Sequence, residues 1–430
     1  MHEQSVLDST APRIRVVHLI TSLCFGGAEQ QLKQLVLASD CRHFEHFVIS
    51  MSDLGSIGED LQSVGLKVHS LGMTRGKPSL AGIIRLVRFL RQIKPDVFHC
   101  WLYHSCLLGI LAGRFARIPK VVWCLRSANE QLLGYRLQTR AVVKLCGILS
   151  RFPDAIVLNS ESGRSLHTRW GYYPRRMQAI PNGVDLDLFR PNPSARLSVR
   201  EELGIPSGTL LIGLVARFHP MKDHNTFFCA AQRLRSRLAN SHFVLAGSGV
   251  STENPELLDL VRRRKLQAVV HLLGPRFDIP RLTAALDIAC LSSSSESFPN
   301  VICEAMACGV PCAVTNVGDA SRIVGDTGRV VPSRNPEALA QALFTLLEMP
   351  PGQRTNLGQK ARERAKVFSF ERAVSAYEAL YTSLVERIMP RNLRADTIGR
   401  PDSAQQFRTK KTNSSMAKKQ EIPRTNQALI

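Results

Sequence analysis

Short apolar runs alternate with helical patterns along this chain, and the alternation occurs twice, on either side of a segment rich in proline, asparagine and glycine. The runs are continuously apolar, which is typical of strands buried on both faces of a parallel sheet. Helices must then cover both faces of each sheet. The predicted strands are Ile14–Ile20, His46–Met51, Leu66–Leu71, Asp96–Cys100, Val121–Leu125 and Ala155–Leu158, then Leu210–Ala216, His242–Ala246, Val269–Leu272, Ile288–Leu291, Pro311–Thr315 and Gly328–Val331. We therefore expect an α/β protein with two doubly wound, Rossmann-like domains that face each other across a cleft.

The same alternation sets the expected domain boundaries within the 430 residues. The predicted helices include Ala28–Ala38, Leu80–Ile93, His104–Arg114 and Ser160–Trp170, then Pro336–Leu347, Gln353–Lys366 and Phe370–Arg387. We expect a flexible N-terminus at 1–12, an N-terminal domain at 13–181, a linker at 182–200, a C-terminal domain at 201–370, a helix packing back toward the N-terminal domain at 371–390, and a disordered basic tail at 391–430.

Hydropathy and cysteine content exclude several classes of protein. The longest nearly apolar stretch, Cys106–Leu125, is broken by three cations, so we expect no integral membrane protein. Met1–Pro12 is polar and contains acids, so we expect no signal peptide there. The 11 cysteines include no C-x-x-C pair, which favours reduced thiols in a cytoplasmic protein over disulfides or a metal centre.

The net charge of +21 is unevenly distributed along the chain. Residues 1–181 carry +11, residues 182–390 carry +4 and residues 391–430 carry +6. A surface this basic is typical of proteins that bind nucleic acid or anionic membranes. The sequence has no recognisable nucleic-acid reading motif, so we expect an anionic membrane surface and no nucleic acid as partner. A basic chain with no specific partner is the alternative.

One predicted helix, Leu80–Ile93, carries part of this charge. Arg85, Arg88, Arg91 and Lys94 recur at every third residue beside apolar side chains. This pattern is typical of a basic amphipathic helix that lies on a membrane. A helix that covers the sheet and has a solvated rim would show the same pattern.

Facing doubly wound sheets place a ligand at the C-terminal ends of their strands. Gly26 and Gly27 follow the first strand directly before a helix, where free amides and the helix dipole attract an anion. An ordinary tight turn is the alternative.

Arg217 and Lys222 follow the strand Leu210–Ala216, and two cations at this spacing can clamp a diphosphate. A solvated loop is the alternative there.

The longest polar motif, residues 292–311, follows the strand Ile288–Leu291. Pro299 suits the first turn of a helix, and Asn300 and Glu304 then share one helix face. Glu296 lies in the loop before this helix, so both carboxylates can border one pocket. Carboxylates suit sugar and ribose hydroxyls, while exposed amides suit phosphate. A capped helix with incidental acids is the alternative, and the length of the motif disfavours it.

These motifs resemble those of the family 4 glycosyltransferases. The hallmark is a pair of glutamates separated by seven residues, Glu296 and Glu304, around Ser297-Phe298-Pro299-Asn300. Supporting matches are Gly26-Gly27-Ala28-Glu29, Ile180-Pro181-Asn182-Gly183-Val184-Asp185, Arg217 with Lys222, and the segment from Gly318 to Gly328. The resemblance covers roughly residues 13–385. It implies the two-domain GT-B fold, retention of configuration and a nucleotide-diphosphate sugar as donor.

The resemblance also implies a role for each matching residue. Arg217 and Lys222 would hold the donor diphosphate, and Glu296 would contact the transferred sugar. The implied donor-binding residues are Gly26, Gly27, Arg276, Phe298, Asn300, Val301 and Glu304. Among them Glu304 would hold the ribose, and the segment Leu273–Arg276 would contact the base. The resemblance implies no required cofactor and no metal, because arginine and lysine can neutralise the diphosphate.

One position departs from the family pattern. Many members have an acceptor-facing histidine just after the strand that corresponds to Val121–Leu125, and this chain has Arg126 in that region. His104, which follows the preceding strand, is the candidate substitute, and a helix-capping or packing role is its alternative. A strong general base is not required in a retaining enzyme, since the leaving phosphate can accept the acceptor's proton.

The expected function is hexosyl transfer from a UDP-sugar, or else from GDP-mannose, to a lipid-linked or polysaccharide acceptor in cell-surface glycan synthesis. We expect a cytoplasmic enzyme, peripheral on the inner face of the membrane, because the basic N-terminal domain must approach anionic headgroups. The alternative is a soluble GT-B sugar synthase of storage or disaccharide metabolism. A non-enzymatic scaffold is disfavoured, because every donor-site position is intact.

Overall fold

The computed structural model describes residues 12–24, 26–74, 79–126 and 137–386. The predicted basic tail, and all but the last residue of the predicted flexible N-terminus, lie outside the described residues. The expectation of two parallel, Rossmann-like sheets is confirmed. Among the described residues no helix is both long enough and apolar enough to span a bilayer.

The first sheet has seven strands in the order β3-β2-β1-β4-β5-β6-β7. Its strands are β1 (Ile14–Ile20), β2 (Phe44–Ser50), β3 (Lys67–Ser70), β4 (Val97–Trp101), β5 (Lys120–Leu125), β6 (Ala155–Leu158) and β7 (Met177–Ala179). Its helices are α1 (Gly27–Ala38), α2 (Gly55–Ser63), α3 (Leu80–Ile93), α4 (Tyr103–Ala116), α5 (Leu137–Leu149) and α6 (Glu161–Arg169). Buried side chains of α1 and α2 pack on one face of the sheet, and those of α3, α4 and α5 pack on the other.

The second sheet has six strands in the order β10-β9-β8-β11-β12-β13. Its strands are β8 (Leu210–Val215), β9 (Ser241–Ala246), β10 (Val270–Leu272), β11 (Ile288–Leu291), β12 (Cys312–Thr315) and β13 (Gly328–Val331). Its helices are α7 (Pro193–Glu202), α8 (His224–Arg235), α9 (Pro255–Arg263), α10 (Ile279–Ala284), α11 (Asn300–Ala307), α12 (Ala320–Val324), α13 (Pro336–Glu348) and α14 (Pro351–Ala365). Strands β8 and β11 lie at the centre, so the loops that follow them open at the middle of the sheet.

The chain crosses between the two sheets twice, and the crossings lie side by side. The Val184 amide donates to the Phe368 carbonyl (2.9 Å), and the Phe370 amide donates to the Val184 carbonyl (2.9 Å). After the second crossing, α15 (Phe370–Glu386) packs on the first sheet and buries Tyr377 and Tyr381 there. The last described helix therefore contributes to the N-terminal core.

The predicted linker at 182–200 is not entirely extended chain. Helix α7 begins at Pro193 within it, where proline needs no hydrogen-bond acceptor for its nitrogen. The Asn192 side chain accepts a hydrogen bond from the Ala195 amide (3.1 Å) and caps the helix. Ala195 is buried, and Val199 is part of the C-terminal core, so the second half of the predicted linker belongs to that domain.

Candidate functional site

The loops that follow β8, β9 and β10 are joined to one another by backbone hydrogen bonds. The Phe218 amide donates to the Ser248 carbonyl (2.8 Å), and the Gly247 amide donates to the Gly274 carbonyl (2.8 Å). Gly247 has a φ of +151°, and a Cβ atom on it would lie 2.3 Å from the Ala216 carbonyl oxygen, so only glycine fits there. This glycine was not predicted from the sequence, although the Gly-x-Gly spacing of Gly247 and Gly249 directly after an apolar strand was the available signal.

The loop after β8 carries two cations, and one of them pairs with a carboxylate of the loop after β11. Arg217 is exposed and has no ion-pair partner among the described residues. Lys222 ends a 3₁₀ turn, and its Nζ lies 2.5 Å from Glu296 Oε1. Ser293 Oγ donates to the same carboxylate oxygen (2.7 Å). Glu296 is therefore fixed by the loops after both central strands, β8 and β11.

Helix α11 carries the other carboxylate of the motif. The helix begins at Asn300, one residue later than expected, because Pro299 is its N-cap and has an extended ψ of 94°. Asn300 and Glu304, one turn apart, both line the same cavity. The Glu304 side chain has no hydrogen-bond or ion-pair partner within the described parts of the chain, and burial raises its pKa to about 7. This carboxylate is therefore available to an incoming donor group.

The cavity lies between the two domains and has a volume of about 250 Å³. It is lined from the N-terminal domain by Gly26, Gly27, Gln30, Gln31 and Gln34, from the crossing segment by Asn182, Gly183, Val184, Asp185 and Phe189, and from the C-terminal domain by Phe298, Asn300, Cys303 and Glu304. Five of the predicted site residues are thus brought together, namely Gly26, Gly27, Phe298, Asn300 and Glu304. Val301 lies in the same helix and lines a small adjoining hollow with Glu304 and Val215.

A chain of polar contacts runs behind this cavity from the N-terminal domain to α11. Arg126 donates to the Asn182 side-chain oxygen, and Asn182 Nδ2 donates to Asn300 Oδ1 (2.7 Å). The same guanidinium donates to the Tyr377 hydroxyl (3.3 Å) and lies over the Trp101 ring. Arg126 therefore joins the first sheet, the crossing segment and α15, and it reaches the lining of the cavity through Asn182.

Six predicted site residues do not line the cavity: Arg217, Lys222 and Glu296 in the loops after β8 and β11, Val301 in the adjoining hollow, and His104 and Arg276. His104 is an exposed residue in the first turn of α4. Arg276 forms ion pairs with Glu202 (2.7 Å) and Asp278 (2.7 Å), so its guanidinium is already occupied. The backbone of its loop remains part of the hydrogen-bonded framework after β10.

The crossing segment also contains an Asp-x-Asp spacing, Asp185-Leu186-Asp187, whereas no such motif for a metal-bound diphosphate was expected from the sequence. Asp185 Oδ1 accepts hydrogen bonds from the amides of Asp187 (3.0 Å) and Leu188 (2.8 Å), as expected for an Asx turn. No group of three or more metal-ligating side chains occurs in the described ranges. The geometry thus assigns Asp185 to the local turn.

Two family descriptions match this chain. Residues 25–188 match Glycosyltransferase Family 4, and residues 209–349 match Glycosyl transferases group 1. The two matches together cover every strand of the two sheets except β1, and they include the glycines of the first loop, Arg217, Lys222 and both glutamates of the motif.

Similar proteins have related names. EpsF of Bacillus subtilis, named as a glycosyltransferase, is 27% identical over 308 residues, which are 70% of this chain and 79% of EpsF. The D-inositol 3-phosphate glycosyltransferase of Geodermatophilus obscurus is 33% identical over 317 residues, which are 70% of this chain and 69% of that protein. The crystal structure of Anabaena Alr3699/HepE in complex with UDP has a TM-score of 0.75 at 24% identity and covers 86% of this chain and 100% of its own.

Proposed function

Because the chain belongs to the family 4 glycosyltransferases and has the GT-B fold, we propose that it is a retaining enzyme acting in the synthesis of a cell-surface glycan. It moves a sugar from a nucleotide-diphosphate sugar, with UDP-sugars favoured over GDP-mannose, to a lipid-linked or polysaccharide acceptor. Its membership of the family makes it a glycosyltransferase. Donor, acceptor and membrane attachment are the proposed parts.

The observation that carries the proposal is the pairing of Lys222 with Glu296 beside the exposed Arg217. A donor diphosphate accepts hydrogen bonds from both cations. Their charges stabilise the diphosphate more strongly as the bond to the sugar breaks, because the phosphate then gains negative charge. When Lys222 turns to the diphosphate, Glu296 remains anchored by Ser293 and is free to accept hydrogen bonds from the transferred sugar. The Gly27 amide at the start of α1 supplies a further donor across the cleft.

Glu304 is the proposed ribose ligand. Its carboxylate is half-buried, lines the cavity and has no partner in the described regions, so two ribose hydroxyls would satisfy it. The loop at 273–276 then contacts the base through its backbone, because the Arg276 guanidinium is held by acids. The neighbouring Anabaena protein was crystallised with UDP and with UDP-glucose, which supports a uridine nucleotide.

The reaction needs no protein base in this scheme. The bond between the sugar C1 and the diphosphate oxygen breaks, a bond forms between C1 and the acceptor oxygen on the same face, and the acceptor's proton passes to the leaving phosphate. Arg217 and Lys222 stabilise the charge that develops on this phosphate. His104, an exposed residue in the first turn of α4, has no role in this scheme.

An anionic membrane is the proposed docking partner of the N-terminal domain. Helices α3, α4 and α5 contain no aspartate or glutamate, and they pack on the same face of the first sheet. Apolar side chains on this face are exposed, among them Phe115 (64%) on α4 and Ile148 (69%) on α5. Cations beside exposed apolar groups suit the headgroup region of an anionic bilayer. We call this surface, formed by α3, α4 and α5, the basic face.

A second candidate is transfer to a small soluble acceptor. Relatives named D-inositol 3-phosphate glycosyltransferase, which are 33% identical over 317 residues in one case, favour it. The basic face favours the lipid-linked acceptor, since a soluble polyol gives no reason to leave large apolar side chains exposed beside cations.

The deciding experiment incubates the purified protein with UDP-, GDP- and ADP-sugars and measures thermal stabilisation, donor hydrolysis and transfer to lipid-linked and soluble acceptors. We expect a UDP-sugar to stabilise the protein and to be consumed fastest with a lipid-linked acceptor. Consumption of GDP-mannose alone would show that the donor nucleotide carries guanine and not uracil. Equal transfer to a soluble polyol would favour the second candidate. If no nucleotide sugar binds, the proposal is wrong.

A further inference from the structure

Helix α6 of the N-terminal domain receives part of its N-terminal cap from the other domain. The amides of Glu161 and Ser162 donate to the two carboxylate oxygens of Asp319 at 3.0 and 2.9 Å. Ser160, the N-cap of α6, accepts from the amide of Gly163 (3.0 Å). The first amides of a helix have no partner within the helix, and a carboxylate there is further favoured by the helix dipole. Asp319 thus completes the cap of a helix that belongs to the opposite sheet.

The position of Asp319 in its own domain makes this contact unusual. Asp319 is the N-cap residue of α12, yet its side chain makes no capping hydrogen bond to that helix. The residue is only 6% exposed, so its carboxylate is buried in the contact between the domains. Separation of the domains would remove both amide donors from the Asp319 carboxylate and leave the first amides of α6 without this partner, so the contact depends on the distance between the domains.

A second contact across the domains meets the first beside the proposed sugar-binding carboxylate. Ser297 Oγ donates to Asn159 Oδ1 (2.6 Å) and lies 2.8 Å from Ser160 Oγ. The Asp319 amide donates to the Ser297 carbonyl (3.0 Å). Gly318, at a φ of +55°, would place a Cβ atom 2.5 Å from the Glu296 carbonyl oxygen. The backbone of Glu296 and Ser297 therefore lies directly between the acceptor-binding domain and the Gly318–Asp319 turn.

We propose that Asp319 is a positioning residue that makes the placement of Glu296 depend on closure of the two domains. With the domains together, α6 holds Asp319 and Ser297, and these two residues fix the backbone from which the Glu296 side chain projects. When the domains separate, both contacts with the N-terminal domain are lost, and Glu296 is held only from within the C-terminal domain, by Lys222, Ser293 and the Asp319 amide on the Ser297 carbonyl. The inference rests on the proposed contact of Glu296 with the transferred sugar.

This arrangement separates donor binding from transfer. The proposed diphosphate and ribose contacts in the C-terminal domain, from Arg217, Lys222 and Glu304, do not involve α6. Loss of the Asp319 contact should therefore leave UDP affinity nearly unchanged and lower kcat for transfer. A purely structural role would instead lower stability, nucleotide affinity and turnover together.

The experiment compares Asp319→Asn and Asp319→Ala with the wild-type enzyme. The asparagine keeps one acceptor oxygen and the alanine keeps none, so we expect kcat to fall roughly tenfold and roughly a hundredfold, with UDP affinity within about twofold. Ser297→Ala removes the contacts to Asn159 and Ser160 and leaves Asp319 in place, so its kcat should lie between those of Asp319→Asn and Asp319→Ala. This variant still tests the inference if Asp319→Ala does not fold.

Arg322→Gln is the matched control across the same domain contact. Arg322 lies 3.8 Å from Glu161, and both side chains are exposed, so this pair should contribute little and kcat should stay within about twofold of wild type. Unchanged kcat in Asp319→Ala would overturn the inference. So would an equal loss of UDP affinity and kcat, because the effect would then not be specific to Glu296.

Two further readouts keep the inference separate from the proposed function. Amide exchange at Glu161 and Ser162 should become faster in Asp319→Asn, and small-angle scattering of the UDP-bound variant should give a larger radius of gyration than the wild type. If no donor sugar is ever transferred, the proposed function fails, while these two measurements still decide whether Asp319 holds the domains together. Unchanged exchange and unchanged radius would overturn the inference on their own.

Discussion

The two halves of the molecule bury polar side chains in different chemical forms. In the C-terminal half Arg200 and Asp287 form a buried ion pair (2.7 Å), and their side chains are 3% and 4% exposed. In the N-terminal half three buried histidines, His18, His46 and His99, lie against α15. One half thus buries a compensated ion pair, whereas the other buries a network of imidazoles.

The hydrogen bonds of the N-terminal core explain why it is neutral. Trp101 Nε1 donates to His18 Nδ1 (3.2 Å), so His18 must donate from Nε2 to His46 Nδ1 (2.9 Å). His99 Nδ1 lies 2.8 Å from the Tyr381 hydroxyl. Burial lowers the pKa of all three histidines, and the positive charge of Arg126 lowers that of His99 further. A proton added at His18 Nδ1 would face the indole N–H and break the network.

The largest expected effect is therefore acid destabilisation of the N-terminal half. Because burial holds the pKa of His46 at about 4, the unfolded chain takes up more protons as pH falls below about 6.5. The contribution of the neutral His46 to the free energy of unfolding is fully present above that pH. It is lost as pH falls toward 4, and the loss for His46 alone is about 3 kcal/mol. All three tryptophans, Trp101, Trp123 and Trp170, lie in this half, so urea unfolding followed by tryptophan emission at pH 7.5 and 4.5 measures it.

The variant that tests this expectation is His46→Asn, which keeps a polar atom near the δ position and cannot be protonated. We expect its unfolding free energy to vary less with pH than that of the wild type, whatever its stability at pH 7.5. His43→Asn, at an exposed histidine whose ring lies 3.0 Å from Asp40, is the control and should change the pH dependence far less. An identical pH dependence in His46→Asn would show that the histidine network does not distinguish the halves.

The second prediction concerns the cations of the C-terminal half. Arg217→Ala or Lys222→Ala should each raise the activation free energy by about 3 kcal/mol, a loss of about two orders of magnitude in kcat. The physical reason is that each cation faces phosphate oxygens whose charge grows during bond breaking. Steady-state kinetics with the preferred donor sugar provide the measurement.

Arg262→Ala on α9 is the control for these two variants, since it removes an exposed arginine of the same domain. Its kcat should be that of the wild type. Near-normal turnover in both cation variants would break the assignment of donor chemistry to this half of the molecule.

The sequence predicts the C-terminal half in more chemical detail than the N-terminal half, because the predicted site residues of the C-terminal half belong to short sequence motifs. The Lys222–Glu296 pair and the α11 carboxylate arise from short loops directly after strands whose apolar pattern is plain. Helix α5, helix α2 and the three-residue strand β7 were not predicted, because short or weakly periodic segments carry little signal. Arg126, Asn182 and Tyr377 are 56 or more residues apart, and no local pattern indicates that they meet.

The third prediction uses the raised pKa of Glu304. A carboxyl group whose folded pKa, about 7, exceeds its unfolded value of 4.5 contributes stability at low pH that is lost as pH rises through this range. Glu304→Gln should therefore increase the unfolding free energy at pH 8 by about 2 kcal/mol, allowing for partial solvent access, and should change little at pH 4. The same variant should bind UDP more weakly, because the ribose loses a charged acceptor.

Opposite changes in stability and affinity are the signature of a binding residue held at a cost to folding. Thermal unfolding at the two pH values and UDP titration of the same preparation measure both. Glu348→Gln on α13 supplies a carboxylate of the same domain outside the cavity lining and should alter neither quantity appreciably. A variant that is less stable at pH 8 would show that Glu304 already has a favourable partner.

The smallest effect per residue is expected at the basic face of the N-terminal half. Each cation near an anionic bilayer contributes about 1 kcal/mol, so Arg88→Gln on α3 should weaken binding to phosphatidylglycerol vesicles by about fivefold. Arg262→Gln on the C-terminal half makes the same charge change and should have no effect, which separates a docking face from a general charge effect.

Binding should decline as salt rises, since screening at physiological ionic strength acts over about 8 Å. Arg88→Gln should also slow transfer to a lipid-linked acceptor more than donor hydrolysis, because docking lies outside the donor site. Equal losses in the two arginine variants, or vesicle binding that ignores salt, would assign the basic face another purpose.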